Sequence, residues 1–217
     1  MSLAIFDLDN TLLNGDSDHA WGEFLCEQGI VDATEYSQKN DYFFVQYQQG
    51  TLDIHEFLEF ALRPLAELSV DRLSELHAQF MHVKVEPMIL TKSLALLQKH
   101  RDQGDFLLII TATNHFVTGP IAARLGVDAI LATDPEIING RYTGKVAGTP
   151  CFQSGKVTRL HHWLKETNHS LQGSSFYSDS CNDLPLLELV DNPVAVDADD
   201  TLTLTAKQKG WPIISLR

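Results

Sequence analysis

Cysteine is scarce in this sequence: Cys26, Cys151 and Cys181 are the only three in 217 residues, and they lie far apart. An odd, scattered set makes neither a disulfide framework nor a CxxC zinc pair, and it points to a reducing compartment. Positive charge is scarce as well. Sixteen Lys and Arg stand against 29 Asp and Glu, a net −13, and so acidic a surface repels nucleic-acid phosphates and anionic lipid. Neither nucleic acid nor a membrane is an expected partner. No Lys or Arg precedes Lys39, and Asp7 and Asp9 interrupt the one apolar stretch near the start, so no secretory signal is expected. No apolar run is long enough to cross a bilayer, and the expected location is the cytoplasm. The nine histidines are dispersed, and His161 and His162, adjacent on a helix, would face different sides. What the chain does have is 44% hydrophobic residues, enough at this length to fill one core.

Leu3-Ala4-Ile5-Phe6 is a short apolar run ending at Asp7, the pattern of a strand buried on both faces of a parallel sheet. From about Asp16 the apolar residues take helical spacing through Phe80, with Gly29, Gly50 and Pro64 as breaks, which predicts about four helices over 15–84. After Pro87 helices and strands alternate. Helices are predicted over 88–103, 116–125, 154–167 and 182–190, and strands over 106–110, 127–132, 174–178, 193–196 and 211–214. Asn139-Gly140 between Glu136-Ile137-Ile138 and Arg141-Tyr142-Thr143 is a two-residue hairpin signal. Strands joined by helices require right-handed crossovers and a parallel sheet. The expected organisation is an α/β core, residues 1–14 and 85–217, with a helical bundle of residues 15–84 inserted after the first strand. An insert leaving the carboxyl edge of such a sheet is placed to roof whatever binds there.

The chemistry-bearing residues sit where strands end. Asp7 and Asp9 flank Leu8, and two carboxylates so close raise each other's pKa unless they share a proton or a divalent cation. The plain alternative is a turn-capping Asp7 and a solvated Asp9. Asp179, Asn182 and Asp183 form a second acidic group at another strand end, each also explicable as helix capping. Two such groups on one edge suit magnesium, which takes a few carboxylates, waters and a substrate phosphate. Thr111 ends the 106–110 strand with a hydroxyl and free amides that can cradle an oxyanion. Lys156 opens a helix, where a cation is disfavoured unless an anion is near. Ser154-Gly155-Lys156 also resembles the end of a nucleotide P-loop, but Pro150 and Val157 occupy positions that motif reserves for Gly and for Ser or Thr.

These segments, in this order, resemble the haloacid dehalogenase-type phosphohydrolases of subfamily IB, the phosphoserine-phosphatase-like branch, over nearly the whole chain. Asp7-Leu8-Asp9-Asn10-Thr11 matches the family's DxDxT signature and Asp179-Ser180-Cys181-Asn182-Asp183 its DxxND segment, with Thr111 and Lys156 at its Ser/Thr and Lys positions. The resemblance implies a Rossmann-like core with a helical cap and a phosphatase acting on a small phosphorylated metabolite. It implies Asp7 as nucleophile and Asp9 as general acid and base. Magnesium would be held by Asp7, Asp179 and the carbonyl of Asp9, supported by Asp183, and the phosphoryl oxygens by Thr111, Lys156 and Asn182. Ala112 and Thr113 replace the family's paired glycines, and Ser178 and Ser180 stand where glycine is common. Residues 15–84 hold 13 acids against four bases, −9 of the total −13, a poor funnel for an anion unless the substrate carries a positive end. Those acids either form an outward, solvated helix face or meet such a substrate; Asp16 and Asp18 follow the nucleophile closely enough to line the entrance, and Arg63 is a candidate partner for a carboxylate such as that of phosphoserine. An amine-bearing ester is expected, histidinol phosphate ahead of phosphoserine. The competing reading is a non-enzymatic phosphate binder or a receiver-like domain that keeps its aspartyl-phosphate.

Overall fold

The computed structural model describes residues 2–217. Strands β1 (Leu3–Phe6), β2 (Phe106–Asn114), β3 (Ala129–Ile138), β4 (Arg141–Ala147), β5 (Ser175–Ser178), β6 (Asn192–Val196) and β7 (Ile213–Ile214) form one sheet in the order β4-β3-β2-β1-β5-β6-β7. Every pairing is parallel except the β3–β4 hairpin. Its turn is Asn139-Gly140, both left-handed at φ 52° and 74°, as a two-residue type I′ connection demands. Along β1, Leu3 and Ile5 enter one apolar cluster while Ala4 and Phe6 enter another on the opposite face. Burial on both faces is why the strand is apolar without alternation.

Between β1 and β2 the chain forms α1 (Ser17–Glu27), α2 (Ala33–Gln48), α3 (Ile54–Glu67) and α4 (Val70–Phe80), then a π-helical turn (Met81–Val85), α5 (Glu86–Met88) and α6 (Thr91–Asp102). Asp16, Asp32, Asp53 and Ser69 cap α1 to α4, each side chain accepting backbone N–H groups of the first turn that would otherwise lack partners. On α3, Leu58, Leu62 and Leu65 recur at helical spacing and pack with Leu73 of α4 and Tyr142 and Val146 of β4. Then follow α7 (His115–Leu125), α8 (Ser154–Thr167), a 3₁₀ turn (Cys181–Asp183), α9 (Leu184–Leu187) and α10 (Asp200–Lys209).

Several elements depart from expectation. Pro64 does not end α3 but lies buried inside it, where the leucines before and after it hold the helix against its neighbours. The helix expected from Met88 starts at Thr91, because Ile89 is drawn into a bridge with Leu13. Strand β2 runs on past Thr111 to Asn114 through an irregularity in its pairing with β3. The helix expected over 182–190 is reduced to a 3₁₀ turn and one turn of α9. Helix α10 was not anticipated, since its Thr-Leu-Thr-Leu-Thr run alternates like a strand; it buries only Leu202 and Ala206.

Candidate active site

Strand β1 lies between β2 and β5, where chain order reverses, so its carboxyl end opens on the crevice that such sheets use for ligands. Asp7 follows there, its N–H donating to the Tyr177 carbonyl at 2.9 Å. Asn10, left-handed at φ 56°, turns the chain back and donates to the Gly15 carbonyl at 2.8 Å. The turn presents Asp7, Asp9 and Thr11 together.

Asp7 Oδ1 accepts from Lys156 Nζ at 2.7 Å, and Lys156 also pairs with Asp183 Oδ1 at 2.7 Å. Burial disfavours the Lys156 ammonium, but Asp183 and Asp7 outweigh it and hold its pKa above the ordinary value. Ser178 Oγ donates to Asp183 Oδ2 at 2.7 Å. The Thr11 hydroxyl stands 3.0 Å from Asp179 Oδ1 and 3.4 Å from Asp7 Oδ2, and accepts the Asp179 N–H at 3.0 Å. One hydroxyl proton cannot serve both carboxylates at once. Asp7 and Asp179 thus face a common point with too few donors between them.

Asp9 is turned the other way. Its Oδ1 accepts the Ser17 N–H at 2.6 Å and its Oδ2 the Thr113 hydroxyl at 2.8 Å, with Thr111 Oγ1 at 3.5 Å. Burial raises Asp9 to about 6, Asp16 adding to the effect. Burial raises Asp7 to about 7 against the pull of Lys156, with Asp183 and Asp9 pushing the same way as burial. Asp179 is pushed well up by burial and by Asp7. Among the described residues, no three His, Cys, Asp or Glu side chains converge as metal ligands; the carboxylates that face one another are Asp7 and Asp179.

Above this floor is a narrow cleft. Asp7, Asp9, Thr111 and Thr113 form its base, Asp16, Asp18 and His19 one side, and Phe43, Phe44, Tyr47 and Phe57 an aromatic wall. Asp16 Oδ1 is spent on capping, accepting the N–H groups of Asp18 and His19. Asp18 has only a 3.5 Å contact from Asn114 Nδ2, and burial, then Asp16 and Asp9, raise its pKa well above the usual carboxylate range.

Two expected site residues stand apart. Arg63 does not reach the cleft: exposed on α3, it pairs with Glu67 one turn on, Nε to Oε1 3.6 Å, beside Asp32 and Glu35 on the outer surface. It sits on the polar side of an amphipathic helix whose apolar side faces β4. Asn182 lies near the floor, but its amide is bonded to Gln153, Ser180 and Tyr47. Conversely, the sequence named Thr11, Thr113 and Ser178 only as members of motifs, with no role of their own in the site, and gave no site role to Asn114 or Tyr47. Thr113 was legible in principle, since strand residues two apart share a face and Thr111 was already singled out. Tyr47 gave no such signal; helix packing alone brings it over the acidic floor, where burial, then Asp7 and Asp179, push its phenol well up.

Comparison with known proteins agrees with the geometry. The family model for haloacid dehalogenase-like hydrolase matches residues 4–188. A protein of Neisseria meningitidis serogroup C named histidinol-phosphatase is 47% identical, the match covering 100% of this chain and 99% of that one. A crystal structure of a protein of unknown function from Bordetella pertussis Tohama I is 41% identical with a TM-score of 0.94, covering 100% and 99%. A phospho-aspartyl intermediate analogue of phosphoserine phosphatase shares the fold at a TM-score of 0.72 and 16% identity, covering 100% and 93%. A family match that runs from the strand before Asp7 through the segment bearing Asp179 and Asp183 places the chain plainly: it belongs to the haloacid dehalogenase-like hydrolases and is a phosphatase of that family.

Proposed function

We propose that the protein is a magnesium-dependent phosphomonoesterase working through an aspartyl-phosphate on Asp7, with residues 15–84 as a cap over a core of residues 1–14 and 85–217. Asp7 Oδ2 attacks phosphorus and the ester P–O bond breaks. Asp9, raised to about 6 by burial, gives its proton to the departing alkoxide. As a carboxylate it then takes a proton from water, whose oxygen attacks the same phosphorus, releasing phosphate and free Asp7. In this reading Thr111 and Lys156 hold phosphoryl oxygens, and Lys156 supplies positive charge to a loose transition state.

The residues fit a hard divalent cation. Asp7 and Asp179 meet at one hydroxyl, and of the four buried or half-buried carboxylates at this edge (Asp7, Asp9, Asp179, Asp183) only Asp7 and Asp183 contact an ammonium, that of Lys156. The Asp9 carboxylate is engaged by Ser17 and Thr113, and by the family resemblance its main-chain carbonyl would join Asp7 and Asp179 in holding the cation. Asp183 supports the site by fixing Lys156. Bound there, magnesium would offset the anionic charge of nucleophile and phosphate alike.

Substrate choice rests on the cleft: its lining residues include Asp16, Asp18 and an aromatic wall but no Arg or Lys. A carboxylate-bearing ester such as phosphoserine would find no partner there, whereas a cationic or imidazole-bearing one would. The name of the 47%-identical relative favours histidinol phosphate. The test is phosphate release from histidinol phosphate, phosphoserine and a neutral sugar phosphate, each with and without magnesium. Histidinol phosphate should be preferred and chelation should silence release; preference for the sugar phosphate, or full activity in excess EDTA, would overturn the reading.

A further inference from the structure

The bonds around Asn182 describe a joint between two parts of the chain. Its Oδ1 accepts from Gln153 Nε2 at 3.0 Å, and its Nδ2 donates to the Tyr47 carbonyl and to Ser180 Oγ, both at 3.1 Å. An amide nitrogen has two hydrogens, so both are engaged. Tyr47 lies in the last turn of α2, which closes by Gly50 N–H to Tyr47 carbonyl at 3.0 Å and Thr51 N–H to Gln46 carbonyl at 2.9 Å. This is a Schellman end, with Gly50 left-handed at φ 69°. It seats on Asn182 so closely that a β-carbon on Gly50 would stand 3.6 Å from Oδ1. Beside it the Tyr47 ring lies 6.1 Å from that of Phe152.

Which way the Asn182 amide faces decides whether this joint holds, because the opposite orientation would set Oδ1 against the Tyr47 carbonyl, acceptor to acceptor. Gln153 decides it. The turn from Phe152 to Gly155 is closed by the Gly155 N–H donating to the Phe152 carbonyl at 2.8 Å. Gln153 occupies its first central position at φ 47°, ψ −119°, a type II′ conformation that belongs to glycine. A strained residue where glycine would serve better calls for a function of its side chain, and among the described residues the only bond that side chain makes is to Asn182.

We propose that Gln153 and Asn182 are positioning residues that form a latch: Gln153 braces the Asn182 amide, and Asn182 pins the end of α2 so that Tyr47 walls the cleft over Asp7. The effect on catalysis rests on the phosphatase reading above; the latch itself does not. The experiment takes the full chain with Gln153→Gly, which relaxes the turn and deletes the donor, and Gln153→Glu, which keeps the chain length but cannot donate. Three quantities are read: hydrogen exchange over Tyr47–Thr51, thermal midpoint, and kcat and KM for histidinol phosphate. Both variants should exchange roughly tenfold faster over that segment, and KM should rise several-fold more than kcat falls. The glycine variant should melt no lower than the parent. Parental exchange in both variants, or activity that merely tracks the melting temperature, would overturn the latch. If the parent protein releases no phosphate from any ester, the phosphatase reading fails while the exchange data still decide this one.

Discussion

Lys156 is 2% exposed and carries a full positive charge between Asp7 and Asp183. Its ionisation is sustained by those partners against burial, and each partner depends on it in turn. Removing one member of a buried charge group leaves the others uncompensated, so Lys156→Ala should lower unfolding free energy by about 3–5 kcal/mol in urea titrations. Asp9 differs, being held by neutral or backbone donors from Ser17 and Thr113. Asp9→Asn should therefore fold normally yet slow phosphate release roughly 10²- to 10⁴-fold, and an unimpaired rate would remove its acid and base role. Asp18 has only a weak contact, from Asn114, and faces the aromatic wall. With Asp18→Asn, the ratio of kcat/KM for histidinol phosphate over a neutral ester should fall about tenfold, the scale of one charge contact; an unchanged ratio would place cation recognition elsewhere.

Among the elements, the turn into α8 is the most tightly determined. A β-carbon on Gly155 would stand 2.0 Å from the Pro150 carbonyl oxygen, a backbone atom that cannot step aside, and the next residue is Lys156. Gly155→Ala should cost about 1–3 kcal/mol or more by forcing the turn open, and should depress activity with it, both measurable on purified protein. Helix α8 itself was legible to the residue, Ser154 to Thr167, because its apolar spacing is regular and turn residues precede it. The Asn139-Gly140 hairpin was equally plain from local chemistry. Helix α10 was not, since its alternating Thr and Leu carry the period of a strand, and the Asp199 side chain capping it by accepting the Leu202 N–H at 2.7 Å was the one local sign. Pro64 misled for the converse reason: packing on both sides of it outweighs a local helix-breaking preference.

For the whole molecule, the acids gathered at the sheet edge link stability to pH and to cations. Burial raises Asp7 to about 7 and Asp9 to about 6 from an ordinary 3.8. A carboxyl raised in the folded state contributes stability that is complete below its unfolded value and is lost as pH rises through the folded one. Metal-free protein should therefore lose this contribution between about pH 4 and pH 8. A dication that favours the ionised acids should restore it, so magnesium should raise the thermal midpoint more at pH 8 than at pH 5. Equal shifts at the two pH values would show that these acids are not where the cation acts. No helix among the described residues is long and apolar enough to cross a membrane, in keeping with the absence of long apolar runs.

The sequence by itself determined which segments become strands and helices and which residue types stand at the strand ends, because periodicity, caps and turn residues act over a few positions. From these the α/β class and the candidate residues Asp7, Asp9, Thr111, Lys156, Asp179 and Asp183 could be read, and the resemblance of their motifs pointed to the family. Only the tertiary structure decided which of them meet. Asp7 and Asp179 face one hydroxyl because β5 pairs with β1 in parallel register. Tyr47 reaches the floor because α2 ends on Asn182, and Arg63 is turned away because the opposite face of α3 packs on β4. Long-range pairing and side-chain direction depend on the packing of every neighbour at once, and no local window of residues carries that information.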